Sequence, residues 1–213
     1  MKMLKYISLF CFLLCFTACK KDIKKETIQE LPYFNSASFT PEWGIAKHKI
    51  KDFTFYNQNG KTITNKTFND KIYIADFFFT SCPGICPKLA KGMYALQEWY
   101  KQDPDIMFLS HTVMPWKDSI PVLKRYAITN KVNVKKWHLV TGKKDDLYDI
   151  ARTSYFADED FNKTQTNSEF IHTENFILVD KKGYIRGVYN GTLSFDLERL
   201  KRHIAILKTE KGT

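Results

Sequence analysis

This sequence predicts an α/β fold, built as a central mixed sheet flanked by helices with an N-terminal β-hairpin. The first observation is alternation. Short continuous apolar runs, such as Ile72 to Phe79, are separated by stretches whose apolar residues recur at helical spacing. The second is a pair of hairpin signals, Asn59-Gly60 and Lys181-Lys182-Gly183, one near each end of the alternating region.

Each element follows from local chemistry. Phe53-Thr54-Phe55-Tyr56 and Lys61-Thr62-Ile63-Thr64 flank Asn59-Gly60 and read as the hairpin. Lys71 to Phe79 is a buried strand by its unbroken apolar run, and Phe77, Phe78 and Phe79 are sheet core. Leu89, Met93, Leu96 and Tyr100 give Pro87 to Tyr100 a helical period. Asp105 to Val113 is a second strand, and Asp118 caps a helix that runs to Thr129. Trp137 to Thr141 is a third strand and Lys143 to Thr153 a third helix. Glu174 to Asp180 and Tyr184 to Tyr189 form a second hairpin. Leu197, Leu200, Ile204 and Leu207 mark a closing helix that starts near Ser194 or Asp196.

The first residues are of another kind. A short positive region, Met1 to Lys5, precedes the apolar stretch Tyr6 to Phe16 and then Phe16-Thr17-Ala18-Cys19. This is a secretory signal, too short to span a bilayer as a helix. Its ending resembles the lipobox of bacterial lipoproteins, which implies cleavage before Cys19 and lipid on that cysteine. Cys11 and Cys15 then leave with the signal. The expected organisation is a signal peptide at 1–18, a lipid-anchored polar tether at 19–38 and one folded domain at 39–213. The expected location is outside the cytoplasm, as a membrane-anchored lipoprotein facing the periplasm or cell exterior; an ordinary soluble secreted protein is the alternative.

Composition suits one domain with a proper core, at 44% hydrophobic residues. The net charge is +10, spread over many single lysines. No basic motif interleaved with aromatics points to nucleic acid. Contact with anionic lipid or an acidic partner is the milder inference.

Only Cys82 and Cys86 lie outside the first 19 residues. They sit in Thr80-Ser81-Cys82-Pro83-Gly84-Ile85-Cys86-Pro87, at the end of a strand and the start of a helix. That is the carboxyl edge of the sheet, where open α/β folds place their sites. Each cysteine precedes a proline, so both are expected in a loop, with Pro87 opening the helix and Cys86 as its N-cap. A thiol there faces unpaired N–H groups and the positive end of the helix dipole, which favours thiolate. A thiolate binds a soft metal or attacks a disulfide. A structural disulfide is the alternative, although so small a ring constrains little chain. Exported cysteines meet oxidising conditions, so the pair needs a partner reductant or copper. A redox pair in a βαβ setting suggests a thioredoxin-like fold, with three residues between the cysteines where thioredoxin has two.

Ala157 to Ile171 reads as a long polar loop that ends at His172, just before a strong strand. Thioredoxin folds place a proline there, against the disulfide; this chain has histidine.

At this point the chain resembles the Sco/SenC family of copper-binding, thioredoxin-like proteins. The resemblance rests on Cys82-Pro83-Gly84-Ile85-Cys86-Pro87, on Asp118-Ser119 opening a helix, and on His172 ahead of Phe176 to Gly183. It covers roughly residues 40–210. It implies a copper site of Cys82, Cys86 and His172, and a role in assembling the dinuclear copper centre of cytochrome c oxidase. The implied partners are the copper-site subunit of a cytochrome oxidase or another copper protein, a copper donor or thiol reductant, and the membrane through the lipid anchor. Two thiolates and an imidazole suit three-coordinate Cu(I), and Cu(II) with an added oxygen ligand. Zinc in a structural site would want a fourth protein ligand.

One departure stands out. Met114 occupies Thr112-Val113-Met114-Pro115 where relatives carry an acid near the site. It is expected either to pack or to act as a soft auxiliary ligand. Of the other histidines, His111 is near the same edge, His138 lies within a strand, and His48 and His203 read as surface residues. The functional alternatives are a metallochaperone without turnover and a thiol–disulfide oxidoreductase using Cys82 and Cys86. A peroxidase is disfavoured, because Arg125 and Arg152 are distant in sequence from the cysteine loop.

Overall fold

The computed structural model describes residues 30–158 and 173–210. The signal segment, Cys19 and His172 lie outside the described residues, as does most of the predicted polar loop.

The strands are β1 (Tyr33–Phe34), β2 (Pro41–Glu42), β3 (Thr54–Asn57), β4 (Thr62–Thr64), β5 (Ile72–Phe78), β6 (Ile106–Thr112), β7 (Trp137–Thr141), β8 (Asn175–Val179) and β9 (Ile185–Asn190). The α-helices are α1 (Cys86–Trp99), α2 (Ile120–Thr129), α3 (Lys144–Asp149) and α4 (Ser194–Thr209). A π-helical turn, Ile150–Ser154, carries α3 onward.

Strands β3 to β9 make one sheet in the order β4-β3-β7-β6-β5-β8-β9. The central strands β5, β6 and β7 are parallel, with Phe77 beside His111 and His111 beside Val140. The flanking pairs are antiparallel. This is the mixed sheet that the alternating pattern predicts. β1 and β2 pair separately as a small antiparallel ribbon.

Every residue of β5 is buried, because helices or loops cover both of its faces. Ile74, Phe78, Met93, Leu96, Leu200 and Ile204 fill the core on the α1 and α4 side. Phe53, Phe55, Phe77, Tyr148 and Tyr155 fill the core on the α3 side.

The folded region starts earlier than the predicted boundary at residue 39. Leu31 is buried in the core, and its N–H donates to Glu210 Oε1. The buried guanidinium of Arg186 ties this segment down: it donates to the carbonyls of Leu31 and Pro32 and pairs with Asp180 and Glu210. Arg186 therefore joins β9, the β8–β9 turn, the end of α4 and the chain ahead of β1.

Replacing Arg186 with methionine strands the Asp180 carboxylate in the core and frees two carbonyls. Breaking a buried ion pair costs about 3–5 kcal/mol. Urea unfolding at pH 7 is expected to show a loss of that size, and a loss under 1 kcal/mol would show that the pair is weakly coupled to the fold.

Candidate metal centre

The cysteine loop leaves the end of β5. Val113 N–H donates to Phe78 O, and Cys82 N–H donates to Phe79 O in a tight turn. Helix α1 begins at Cys86 itself, with Ile85 as N-cap and Pro87 in the first turn. Cys86 is therefore inside the helix, not its cap as the proline spacing suggested. The two residues can tie because Ile85 already has helical backbone angles, and its carbonyl accepts from Lys88 and Leu89.

That one-residue shift changes the chemistry of the pair. Both cysteines are free thiols, Cys82 half-buried and Cys86 buried. Partial burial would push the Cys82 thiol up, but hydrogen bonds from the Cys86 side chain and from the backbone of Cys86, Gly84 and Ile85 outweigh it, and its pKa falls below the usual thiol value. Burial, reinforced by the Cys82 contact, pushes Cys86 up to about 12. The pull toward thiolate expected at Cys86 thus acts on Cys82, which faces backbone N–H groups of the loop and helix start.

Asp118 does not cap α2; Ser119 occupies that position. The Asp118 carboxylate is fully buried and instead accepts from Thr80 N–H at 3.2 Å, from the Thr80 hydroxyl at 2.5 Å and from the Thr112 hydroxyl. It fastens the start of the cysteine loop to the end of β6. On the other flank, α1 meets the β9–α4 turn through glycines: a Cβ on Gly92 would lie 2.6 Å from the Gly191 carbonyl oxygen.

Beneath the pair is a second buried carboxyl. Asp76 lines a narrow internal gap with Cys86, Ser110, Tyr126 and Trp137. The Trp137 indole N–H donates to Ser110 Oγ at 2.8 Å, and Ser110 donates on to Asp76. Burial raises the Asp76 pKa to about 7 against the lowering effect of Ser110. An apolar run conceals this residue, although a carboxyl inside a buried strand always needs a partner.

The remaining candidates fall away from the pair. Met114 is buried in the core on the α3 side, so it packs as its flexible side chain allows. His111 is enclosed by Phe53, Phe55, Phe77 and Tyr155 on that same side, and burial pulls its pKa down to about 3. Neither ring nitrogen closes a normal hydrogen bond; the Asp76 backbone is the one polar group near enough to offset its burial, and only in part. His138 is buried against Asn57. His48 and His203 are half-buried rather than surface residues, bonded to the Ser154 carbonyl and the Tyr189 hydroxyl. Among the described residues no cluster of three metal-ligating side chains forms; the predicted third donor, His172, precedes Thr173 at the end of the sheet where β8 begins.

Two substitutions test these joints. Asp118→Ala leaves three donors without their acceptor and is expected to cost about 2–4 kcal/mol, with loss of hydrogen-exchange protection at the Thr80 amide. Unchanged protection there would refute the fastening role. Asp76 has a folded pKa above its unfolded value, so its contribution to stability is full below about pH 4 and is lost as pH rises through about 7. Asp76→Asn is therefore expected to gain roughly 1–3 kcal/mol over the parent at pH 8 and little at pH 4.5, in metal-free reduced protein. An equal effect at both pH values would count against a buried proton on Asp76.

Comparison with known proteins identifies the family to which this fold belongs. A Bacillus subtilis protein described as a SCO1 protein homolog is 30% identical over 146 residues, covering 68% of this chain and 75% of that protein. A solved SCO1/SenC family lipoprotein from Bacillus anthracis is 27% identical, with a TM-score of 0.66 over 76% of this chain and 95% of that one. BsSco, described as a member of the Sco family of cytochrome c oxidase assembly proteins with a disulfide switch, is 28% identical, with a TM-score of 0.65 over 77% and 95%. Copper-bound ScoI of Arabidopsis thaliana, 20% identical with a TM-score of 0.55 over 75% and 96%, shares the fold. The SCO1/SenC family model matches residues 44–207, and the chain belongs to that thioredoxin-like family.

Proposed function

We propose that this chain is a copper metallochaperone that holds its cargo with Cys82, Cys86 and His172 and delivers it to, or prepares, the dinuclear copper centre of a respiratory oxidase. The observation that carries this reading is a dithiol in a SCO1/SenC chain, both thiols free, at the sheet end where β8, the strand that follows His172 in sequence, begins. Two sulfurs and an imidazole match the softness of Cu(I). Cys82 is open enough to pass a metal to a partner, whereas Cys86 is closed in by the core. Exposed Trp116, Leu193 and Phe195 stand on loops or helix starts at the same sheet end and offer apolar contact to that partner. Exposed aromatic side chains of this kind are typical anchors of transient interfaces.

The reading includes export and anchoring: cleavage before Cys19 and lipidation of that residue hold the domain on the outer side of a membrane. No helix among the described residues is long and apolar enough to cross one. Copper-bound and lipoprotein relatives support both halves.

The asymmetry of the thiols favours a second reading, a thiol–disulfide oxidoreductase. The Cys82 thiolate would attack a partner disulfide and form a mixed disulfide, releasing one partner thiolate. Cys86 would then give up its proton and displace the second partner sulfur, leaving Cys82–Cys86 oxidised and the partner dithiol reduced. A half-exposed nucleophile beside a buried resolving thiol is what this needs.

The reduced protein is expected to bind a single Cu(I), lost in Cys82→Ser and in Cys86→Ser. His172→Ala is expected to keep weakened Cu(I) binding and to lose Cu(II), which leans harder on imidazole. Full binding of both oxidation states by His172→Ala would remove His172 from the site.

The same variant separates the two readings in cells. A metallochaperone with His172→Ala should fail to mature the oxidase, read as oxidase copper content and activity at normal protein level. A pure oxidoreductase keeps its thiols and should mature the oxidase normally. Wild-type maturation in that strain would therefore favour thiol exchange.

A further inference from the structure

The parallel strands β5, β6 and β7 run toward the cysteine pair, so their starts mark the opposite end of the fold. That end is lined with lysine. Lys71 precedes β5, Lys135 and Lys136 precede β7, and Lys181-Lys182-Gly183 turns β8 into β9. Lys101 follows α1, Lys131 follows α2, and Lys208 is in the last turn of α4. A cleft of about 310 Å³ brings Lys181 and Lys182 together with Lys49 and Lys66, and Asn65 and Asn69 also line it.

The backbone enforces that gathering. Ile50 N–H donates to Gly183 O at 2.9 Å, and Lys49 bridges to Tyr184 across the turn. Gly183 has a φ of +88°, and a Cβ there would press on the Lys49 side chain at 3.1 Å. Of the two carboxylates in the cleft, Asp180 is already committed to the Lys182 and Tyr184 amides and to Arg186. Among the described residues lining the cleft, Asp52 is the remaining carboxylate facing Lys49, Lys66 and Lys181. Lys49, Lys66, Lys131, Lys135 and Lys181 make no ion pair among the described residues. Acids stand at both ends. At the strand starts Lys71, Lys101 and Lys208 pair with Asp105, Glu98 and Asp103, and Lys136 is buried against backbone carbonyls. The charge left over there is that of Lys49, Lys66, Lys131, Lys135 and Lys181. At the cysteine end Lys143 and Lys144 precede Asp145 and Asp146.

The chain also enters the fold at the lysine end. Leu31 is pinned by Glu210 and Arg186 beside the last turn of α4. Lys20, Lys21, Lys24 and Lys25 precede it in sequence. Cys19 and Leu31 are 12 positions apart in sequence, so even at full extension a lipid on Cys19 holds the Leu31 end of the domain within about 40 Å of a membrane.

We propose that this lysine end is a docking face for an anionic lipid surface, which seats the domain with the cysteine pair pointing away from the bilayer. The proposal rests on the membrane-anchored reading above and adds an orientation to it. Clustered lysines next to a membrane anchor gain from the negative surface potential, and salt screens that gain.

The test is lysine footprinting on the full chain with vesicles of phosphatidylcholine alone or mixed equally with phosphatidylglycerol. Brief acetylation followed by mass spectrometry reads each lysine. On the anionic vesicles Lys49, Lys66, Lys181 and Lys182 are expected to label about threefold or more slowly than on neutral ones. Lys117 and Lys143, at the cysteine end, should label alike on both, and 0.5 M salt should erase the difference. The triple variant Lys49→Glu/Lys66→Glu/Lys181→Glu, with an unchanged circular dichroism spectrum, should lose the protection at Lys182. Equal labelling on both vesicles, or protection at Lys117 instead, would overturn the docking face. Chain that floats with vesicles but shows no protection would overturn it while leaving the anchor standing. Protection that needs an added acidic protein and is absent on pure lipid would also overturn it.

Discussion

Everything about the cysteine loop depends on one carboxylate. Asp118 is buried at the joint where β5, β6 and α2 converge, and it accepts three hydrogen bonds from two threonines. A carboxylate can enter such a place only if donors replace its lost water. Those donors come from Thr80, which opens the cysteine loop, and Thr112, which closes β6. The Thr112 hydroxyl also accepts from the Met114 N–H, so the bend after β6 is held by the same group. Remove the carboxylate, and the start of the loop loses its side-chain tie to β6 while the backbone bonds near Phe78 and Phe79 remain.

With the loop fixed, its two thiols fall into unequal places. Cys82 lies on the rim, where several N–H groups converge on its sulfur. Cys86 opens α1 and points into the core above Asp76. The helix dipole does not act on a residue by its number in the helix; it acts where the free N–H groups point. A metal carrier and a disulfide reductant both need one open and one sheltered sulfur, which is why thiol geometry alone serves either reading and the imidazole divides them.

Sequence patterning carried the architecture well because the signals were strong. Asn59-Gly60 became the β3–β4 turn, with Gly60 at φ +73°, and the unbroken run of β5 became a strand covered on both faces. What sequence missed has physical reasons. An aspartate before a helix usually caps it, and nothing local reveals that Asp118 reaches across the chain to Thr80, 38 residues earlier. Asp76 is lost among aromatic neighbours, although its place in a continuous apolar run was itself a signal. Leu31 was assigned to a polar tether because its local segment is polar; its burial comes from Arg186, whose partners are 154 and 155 residues away. Long-range polar contacts are the part of a fold that periodicity does not encode.

The parallel strands give the domain two unlike ends, and this polarity links the fold to its work. Strand carboxyl ends collect the cysteine loop, the β6–α2 bend and the start of β8, so both thiols stand at that end. Helix α1 is pressed against the β9–α4 turn where Gly92 and Gly191 leave no room for side chains, with Phe176 and Leu89 filling the space around Gly191. Any enlargement at either glycine moves the helix that bears Cys86 relative to the loop that bears Cys82. The separation of the two sulfurs is therefore set by backbone contact on one flank and by the Asp118 carboxylate on the other. The strand starts are free of that constraint, which leaves the opposite end to carry charge and to receive the incoming chain.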